Sequence, residues 1–176
     1  EGYEINFATA SFGQGIEMTP IQLLRAFLSI ANGGKLAKPY LVEKMIDHNG
    51  KEILTQPEIS ENSIISQKTS SQLTTMLVSV VENGFAKATK IPGYYIAGKT
   101  GTAQIPLLNQ RGYYENKTIQ SFAGFAPAYN PRFVILIKLN NPKAKTAEYS
   151  AAPIFNDLAK YIIDYYQIPP DYDAEP

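Results

Sequence analysis

Gly93-Tyr94-Tyr95-Ile96-Ala97-Gly98-Lys99-Thr100-Gly101-Thr102-Ala103-Gln104 is the stretch on which the reading of this chain turns. Tyr94 to Ala97 favour extended backbone, so a strand is expected to run into the lysine. Gly98 and Gly101 carry no Cβ and let other groups approach the backbone closely. Side chains two apart on a strand share a face, which puts Lys99 and Gly101 on one side and Thr100 and Thr102 on the other. A cation, two hydroxyls and bare backbone along one strand edge make an anion-binding surface. With a backbone N–H left free, such a strand is suited to holding an acyl group in place.

The same residues match a phosphate-loop pattern, since Gly93 to Thr100 reads G-x-x-x-x-G-K-[ST]. Context argues against it. Tyr-Tyr-Ile-Ala is strand material rather than a flexible bend, and Gly101 and Pro106 spoil the helix that would have to start at the lysine. The apolar run 133–139 ends in Asn140-Asn141-Pro142, with no magnesium-binding aspartate.

The alternative is the Lys-Thr-Gly element of penicillin-interacting serine enzymes. Taken alone, Lys99-Thr100-Gly101 fits an edge strand with a solvated lysine just as well. The flanks extend the pattern: Ser11-Phe-Gly-Gln-Gly15, Thr19-Pro-Ile-Gln22 and Ala31-Asn-Gly-Gly34 come before it. Ser121-Phe-Ala-Gly-Phe-Ala-Pro127 with Asn130-Pro131, then Ala151-Ala-Pro153 and Ile168-Pro-Pro170, come after it. In this order and over nearly the whole length, the chain resembles the C-terminal part of the transpeptidase domain of a class B penicillin-binding protein.

The family also uses a Ser-x-x-Lys nucleophile motif and a Ser-x-Asn motif. No serine here has a lysine three residues later. Ser60-Glu61-Asn62 fits the second pattern but lies downstream of Ser11 to Gly15, where the family has it upstream, and is read as chance in a polar loop. Residues 1–176 are therefore expected to be the C-terminal portion of the domain, with the nucleophile-bearing portion absent.

The resemblance implies an α/β (α+β sandwich) fold, an antiparallel sheet flanked by helices, of which only the C-terminal part is present. It implies a peptidoglycan D,D-transpeptidase that forms a serine acyl-enzyme with D-Ala-D-Ala stem peptides and is trapped by β-lactams. Lys99 would serve the electrostatics and proton network. Thr100 and Thr102 would bind the substrate carboxylate, and the Thr102 N–H would be one oxyanion donor. Gly101 would leave room for the substrate, with Gln104 further along the same strand. No cofactor and no metal is expected, and the chain alone is expected to be inactive. Expected partners are stem peptides, β-lactams, the remainder of its own domain and cell-wall synthesis membrane proteins. The expected location is the extracytoplasmic face of the bacterial cytoplasmic membrane, through an N-terminal span outside this chain. A β-lactam sensor, an inactive division scaffold and a serine β-lactamase share the motif and stay open as alternatives.

Composition agrees with this. Sixteen basic residues balance sixteen acidic ones, giving a net charge of 0 and no pull toward nucleic acid. There is no cysteine, which excludes disulfides and thiolate metal sites. The longest aliphatic run, 134–137, is much too short to cross a bilayer.

Along the chain, residues 1–17 read as loop, with Ser11 and Gln14 in a turn before a helix. Thr19, Pro20 and Gln22 announce that helix as a capping box, its apolar stripe being Leu24, Phe27, Leu28 and Ala31. Residues 38–47 read as one strand, turned at Asn49-Gly50 into a partner over 52–54, with His48 solvated in the turn. Residues 55–66 read as polar connector. A second helix is expected over 67–83, burying Leu73, Met76, Leu77, Val80 and Val81. Residues 109–117 read as a loop beside the site, 119–128 as the next strand, and 132–139 as a central strand covered on both faces. Ser150 is expected to cap a last helix that packs Phe155, Leu158, Ile162 and Tyr165 or Tyr166. The resemblance implies a five-stranded sheet, in which two further strands from earlier sequence would cover the outer edge of 133–139. Expressed alone, residues 1–176 should therefore be poorly soluble; a monodisperse, cooperatively melting product would count against that missing cover.

Overall fold

The computed structural model describes residues 4–173. Its centre is a three-stranded antiparallel sheet. The strands are β5 (Ala97–Pro106), β6 (Tyr113–Ala126) and β7 (Phe133–Asn140), in the order β5-β6-β7. The described residues form four α-helices: α1 (Glu4–Ala10), α2 (Pro20–Ala31), α3 (Gln67–Asn83) and α4 (Ala151–Tyr165). Four short strands lie between α2 and α3: β1 (Lys35–Lys38), β2 (Lys44–Ile46), β3 (Glu52–Leu54) and β4 (Glu58–Ser63).

Alternation along β6 divides the core. Phe122 and Ala126 pack on one face against Phe155, Ala159 and Ile163 of α4. The Phe122 and Phe155 rings lie 4.5 Å apart, within the range of favourable aromatic pairs. Phe125 points the other way, with Ala97, to meet Val78 and Leu77 of α3 and Phe27 and Ile30 of α2. Helices thus cover both faces of the sheet, as the α/β expectation has it.

The caps of α2 and α3 form as expected. Thr19 Oγ1 accepts from the Gln22 amide while Gln22 Oε1 accepts from the Thr19 amide, and Ser66 accepts from the Thr69 amide. The Asn49-Gly50 turn joins β2 to β3, with the Asp47 carboxylate accepting from the amides of Asn49 and Lys51.

Several expectations are corrected. Residues 4–10 form a helix rather than loop, with no buried residue. The single strand over 38–47 is two strands, because Pro39 has no N–H to donate and ends β1. The supposed connector contains β4, which pairs with β1 through Ala37↔Ile59 and the exposed Lys38–Glu58 ion pair at 2.8 Å. Ser60-Glu61-Asn62 is therefore in a strand, not a polar loop. Met76 is 64% exposed and does not fill the core; α3 instead buries Ser70, Thr74, Val78 and Val81. β6 begins at Tyr113, so the loop before it is only 107–112. Among the described residues β6 is the central strand and β7 an open edge. Leu158, Tyr165 and Tyr166 face outward, and α4 packs through Phe155 and a row of alanines. Ser150 precedes α4 but its hydroxyl makes no cap bond.

The segment after α4 folds back on the entry to β5. The amides of Asp171 and Tyr172 donate to the Gly93 carbonyl, and the Tyr95 amide donates to the Asp171 carboxylate at 2.8 Å. The Tyr94 hydroxyl donates to the Ile168 carbonyl at 2.6 Å. Burial, helped by the nearby carboxylates of Asp164 and Asp171, holds the Tyr94 phenol above its ordinary value of 10.0. A raised phenol pKa gives stability that is complete below the ordinary value and is lost as pH rises past it through the folded-state value. Tyr94→Phe in the intact protein should cost about 1 kcal/mol at neutral pH. It should also flatten the fall in melting temperature above roughly pH 10; a melting curve indistinguishable from wild type across pH 7–11 would contradict this.

Candidate functional site

The hydrogen-bond parity of the sheet decides what β5 can offer. In an antiparallel pair, a residue sends both its N–H and its C=O to the same neighbour, and successive residues alternate sides. Asn141 donates to the Thr118 carbonyl and Arg132 to the Ala126 carbonyl, so the even-numbered residues of β6 face β7. The odd-numbered ones face β5, where Ala123 lies opposite Lys99 and Ser121 opposite Gly101. Ala128 donating to the Tyr95 carbonyl keeps the same phase on β5. Lys99 and Gly101 thus spend their backbone groups on β6. Thr100 and Thr102 direct theirs to the open edge of the sheet.

Side chains follow the complementary alternation. A Cβ on Gly98 would lie 2.4 Å from the Phe122 ring, so glycine is required there for the strand to close on the aromatic core. Thr100 and Thr102 share that α4-facing side, where Thr102 Oγ1 accepts from the Ala147 amide at 3.3 Å. Lys99 is exposed and reaches along its own strand, its Nζ donating to the Thr100 carbonyl at 2.8 Å on the open edge. Gln104 is exposed on the same strand. The expected residues therefore share one strand edge: an ammonium, the Thr100 and Thr102 hydroxyls and an outward-facing Thr102 amide.

Gly101 also faces the cross-strand serine: a Cβ there would lie 2.6 Å from Ser121 Oγ. Two hollows occur elsewhere: about 460 Å³ beside Leu107, Tyr114 and Lys117, and about 260 Å³ between Leu28 of α2 and Phe133 of β7. Lys99 lines neither. Tyr113 and Tyr114, expected in a loop beside the site, belong to β6, and Tyr114 lies under the Lys117 ammonium at 4.2 Å. Ser11 is held to the Ala8 carbonyl at the end of α1. No group of metal-ligating side chains occurs among the described residues.

Sequence reasoning missed Gln120 and Ser150, which lie behind Thr102. The only signal was an amide side chain within the run 119–126, whose other residues are small or apolar, at the register position facing Thr102.

Residues 1–160 match the family model described as penicillin binding protein transpeptidase domain. Among relatives, the chain is 40% identical over 157 residues to stage V sporulation protein D of Bacillus subtilis, covering 87% of this chain and 24% of that protein. It is 37% identical over 172 residues to peptidoglycan D,D-transpeptidase FtsI of a Buchnera aphidicola strain, covering 96% and 28%. A solved structure of penicillin-binding protein 3 from Mycobacterium tuberculosis, complexed with ampicillin, superposes with a TM-score of 0.86 at 31% identity, over 97% of this chain and 40% of that one. The chain belongs to the penicillin-binding protein transpeptidase domain family. It spans about a quarter to a third of the length of these curated relatives.

Gly101→Val, which the open strand would tolerate if it faced only solvent, should lower the melting temperature because its Cβ meets Ser121. Adding Ser121→Gly should restore the melting temperature. Penicillin labelling should stay lost in the pair if Gly101 also makes room for a ligand, and recover if it serves packing alone.

Proposed function

We propose that this chain is the C-terminal portion of a peptidoglycan D,D-transpeptidase domain, whose nucleophilic serine and its lysine lie on the preceding portion. The observation that carries the proposal is the Thr102 amide on the open edge of β5, next to an exposed lysine on the same strand.

The chemistry follows from those groups. The serine attacks the D-Ala-D-Ala carbonyl of a stem peptide, and negative charge develops on that oxygen. The Thr102 N–H is free to donate to it and forms one half of an oxyanion hole. Losing such a donor typically costs about 2.7–4 kcal/mol. The peptide lies along the edge of β5 as an added strand, using the unpaired backbone of Thr100 and Thr102. Its terminal carboxylate meets the Thr100 and Thr102 hydroxyls. Lys99, released from the Thr100 carbonyl, supplies positive charge to the serine's proton network. D-Alanine leaves, and the acyl group passes to an amine of a neighbouring strand. A β-lactam carries the same carboxylate and acyl carbonyl and is held the same way.

The partners that fit this reading are stem peptides, β-lactams, the preceding portion of the same domain and membrane proteins of cell-wall synthesis. The location that fits is the outer face of the bacterial cytoplasmic membrane. No helix among the described residues is long and apolar enough to cross a membrane. The exposed apolar side chains of α1 and of β2 to β4, Ile5, Phe7, Met45, Ile46 and Leu54 among them, and the open edge of β7 are the surfaces left for the preceding portion to cover.

Lys99→Ala in the intact enzyme should slow acylation by labelled penicillin at least about a hundredfold, as expected for a charge-assisted contact in a water-excluded site. Unchanged labelling would remove Lys99 from the site. Labelling without turnover of a stem peptide would identify a sensor, and rapid release of the bound penicillin a β-lactamase.

A further inference from the structure

Gln120 is fully buried in the middle of β6, one of very few polar side chains in the core. Burying a carboxamide is unfavourable unless its atoms are hydrogen-bonded. Here they are. Nε2 donates to the Ala144 carbonyl at 2.7 Å and to Thr118 Oγ1 at 3.0 Å, and Oε1 accepts from the Ser150 hydroxyl. Ser150 turns its hydroxyl toward Gln120, and its backbone, at φ -130° and ψ -74°, lies outside the extended conformation of a capping residue. One side chain thereby fixes both ends of the segment 144–150 against the sheet.

That segment contains Ala147, whose amide donates to Thr102 Oγ1, and Thr102 lies directly opposite Gln120 in the β5–β6 register. A threonine hydroxyl has one proton and two lone pairs. When a lone pair accepts from Ala147, the proton is directed elsewhere, and the hydroxyl is set as a donor. At 3.3 Å the Ala147 bond is at the long end of the useful range. A few tenths of an ångström in the position of 144–150 decide whether it exists.

We propose that Gln120 is a positioning residue: through Ala144 and Ser150 it holds the Ala147 amide against Thr102 Oγ1, and so presets the Thr102 hydroxyl to donate to the carboxylate of the incoming stem peptide or β-lactam. The inference rests on the reading of Thr102 as a carboxylate contact. Without Gln120 the hydroxyl is free to turn its proton inward, and its lone pairs then repel the anion.

The test uses the intact transpeptidase and two probes, a penicillin and the same penicillin with its carboxylate methylated. Thr102→Val is the reference. It should slow acylation by the free acid about tenfold, the loss expected for a hydrogen bond to a charged group. The ester's rate should fall much less, because a neutral acceptor loses a weaker hydrogen bond. Gln120→Met, which keeps the length and volume but not the hydrogen bonds, should show the same selective loss. Ser150→Ala should show it in weaker form and serves in place of Gln120→Met if that variant does not fold. The double variant Thr102→Val with Gln120→Met should be no slower than Thr102→Val alone. Equal slowing of acid and ester by the Gln120 and Ser150 variants would mean a structural role only, and wild-type rates with both probes would mean no role; either overturns the proposal. Multiplying losses in the double variant would overturn it too. If Thr102→Val itself fails to distinguish acid from ester, the carboxylate reading of Thr102 falls first, and this inference with it.

Discussion

The phase of the β5–β6 ladder is the constraint on which the rest depends. Shifted by one residue, the ladder would spend the Thr102 amide on β6, expose that of Gly101, and turn every side chain of β5 to the opposite face. The phase is held by packing. Gly98 closes on the Phe122 ring, Phe122 lies against Phe155 of α4, and Phe125 fills the opposite side beneath α2 and α3. A register slip would carry Ile96 and Ala97 out of their layers and turn the Lys99 side chain toward α4, and burying a large apolar side chain is worth about 1.5–3 kcal/mol. The hydrophobic core thus fixes which amide faces outward, and the chemistry is read from that choice.

Much of this was legible in the chain itself. The cap of α2 is spelled out by Thr19, Pro20 and Gln22, whose roles depend on local backbone alone. The Asn49-Gly50 turn is local in the same way. The alternation that separates Lys99 from Thr100 needs only a strand, and residues 94–97 announce one. The family pattern added what periodicity lacks, namely a strand edge expected to do chemistry.

What was not legible is non-local. Glu58-Ile59-Ser60-Glu61-Asn62-Ser63 has poor strand composition and is extended because it pairs with β1. Met76 has a core residue's chemistry, but α3 turns that face to solvent among the described residues. Ser150 stands where a capping serine belongs, yet it turns its hydroxyl toward a buried amide thirty residues earlier in sequence. In each case a partner distant in sequence overrides a sound local preference.

The fold-back of residues 168–172 on Gly93 and Tyr95 has one more consequence. It ties the chain into a closed ring that begins just ahead of β5 and ends just past α4. Here each opening of that knot slackens the leading end of the strand that presents Lys99. Anything that tugs on or grips residues 168–172, such as a fused label or a docked protein, therefore has a mechanical handle on the open edge of β5 without touching it.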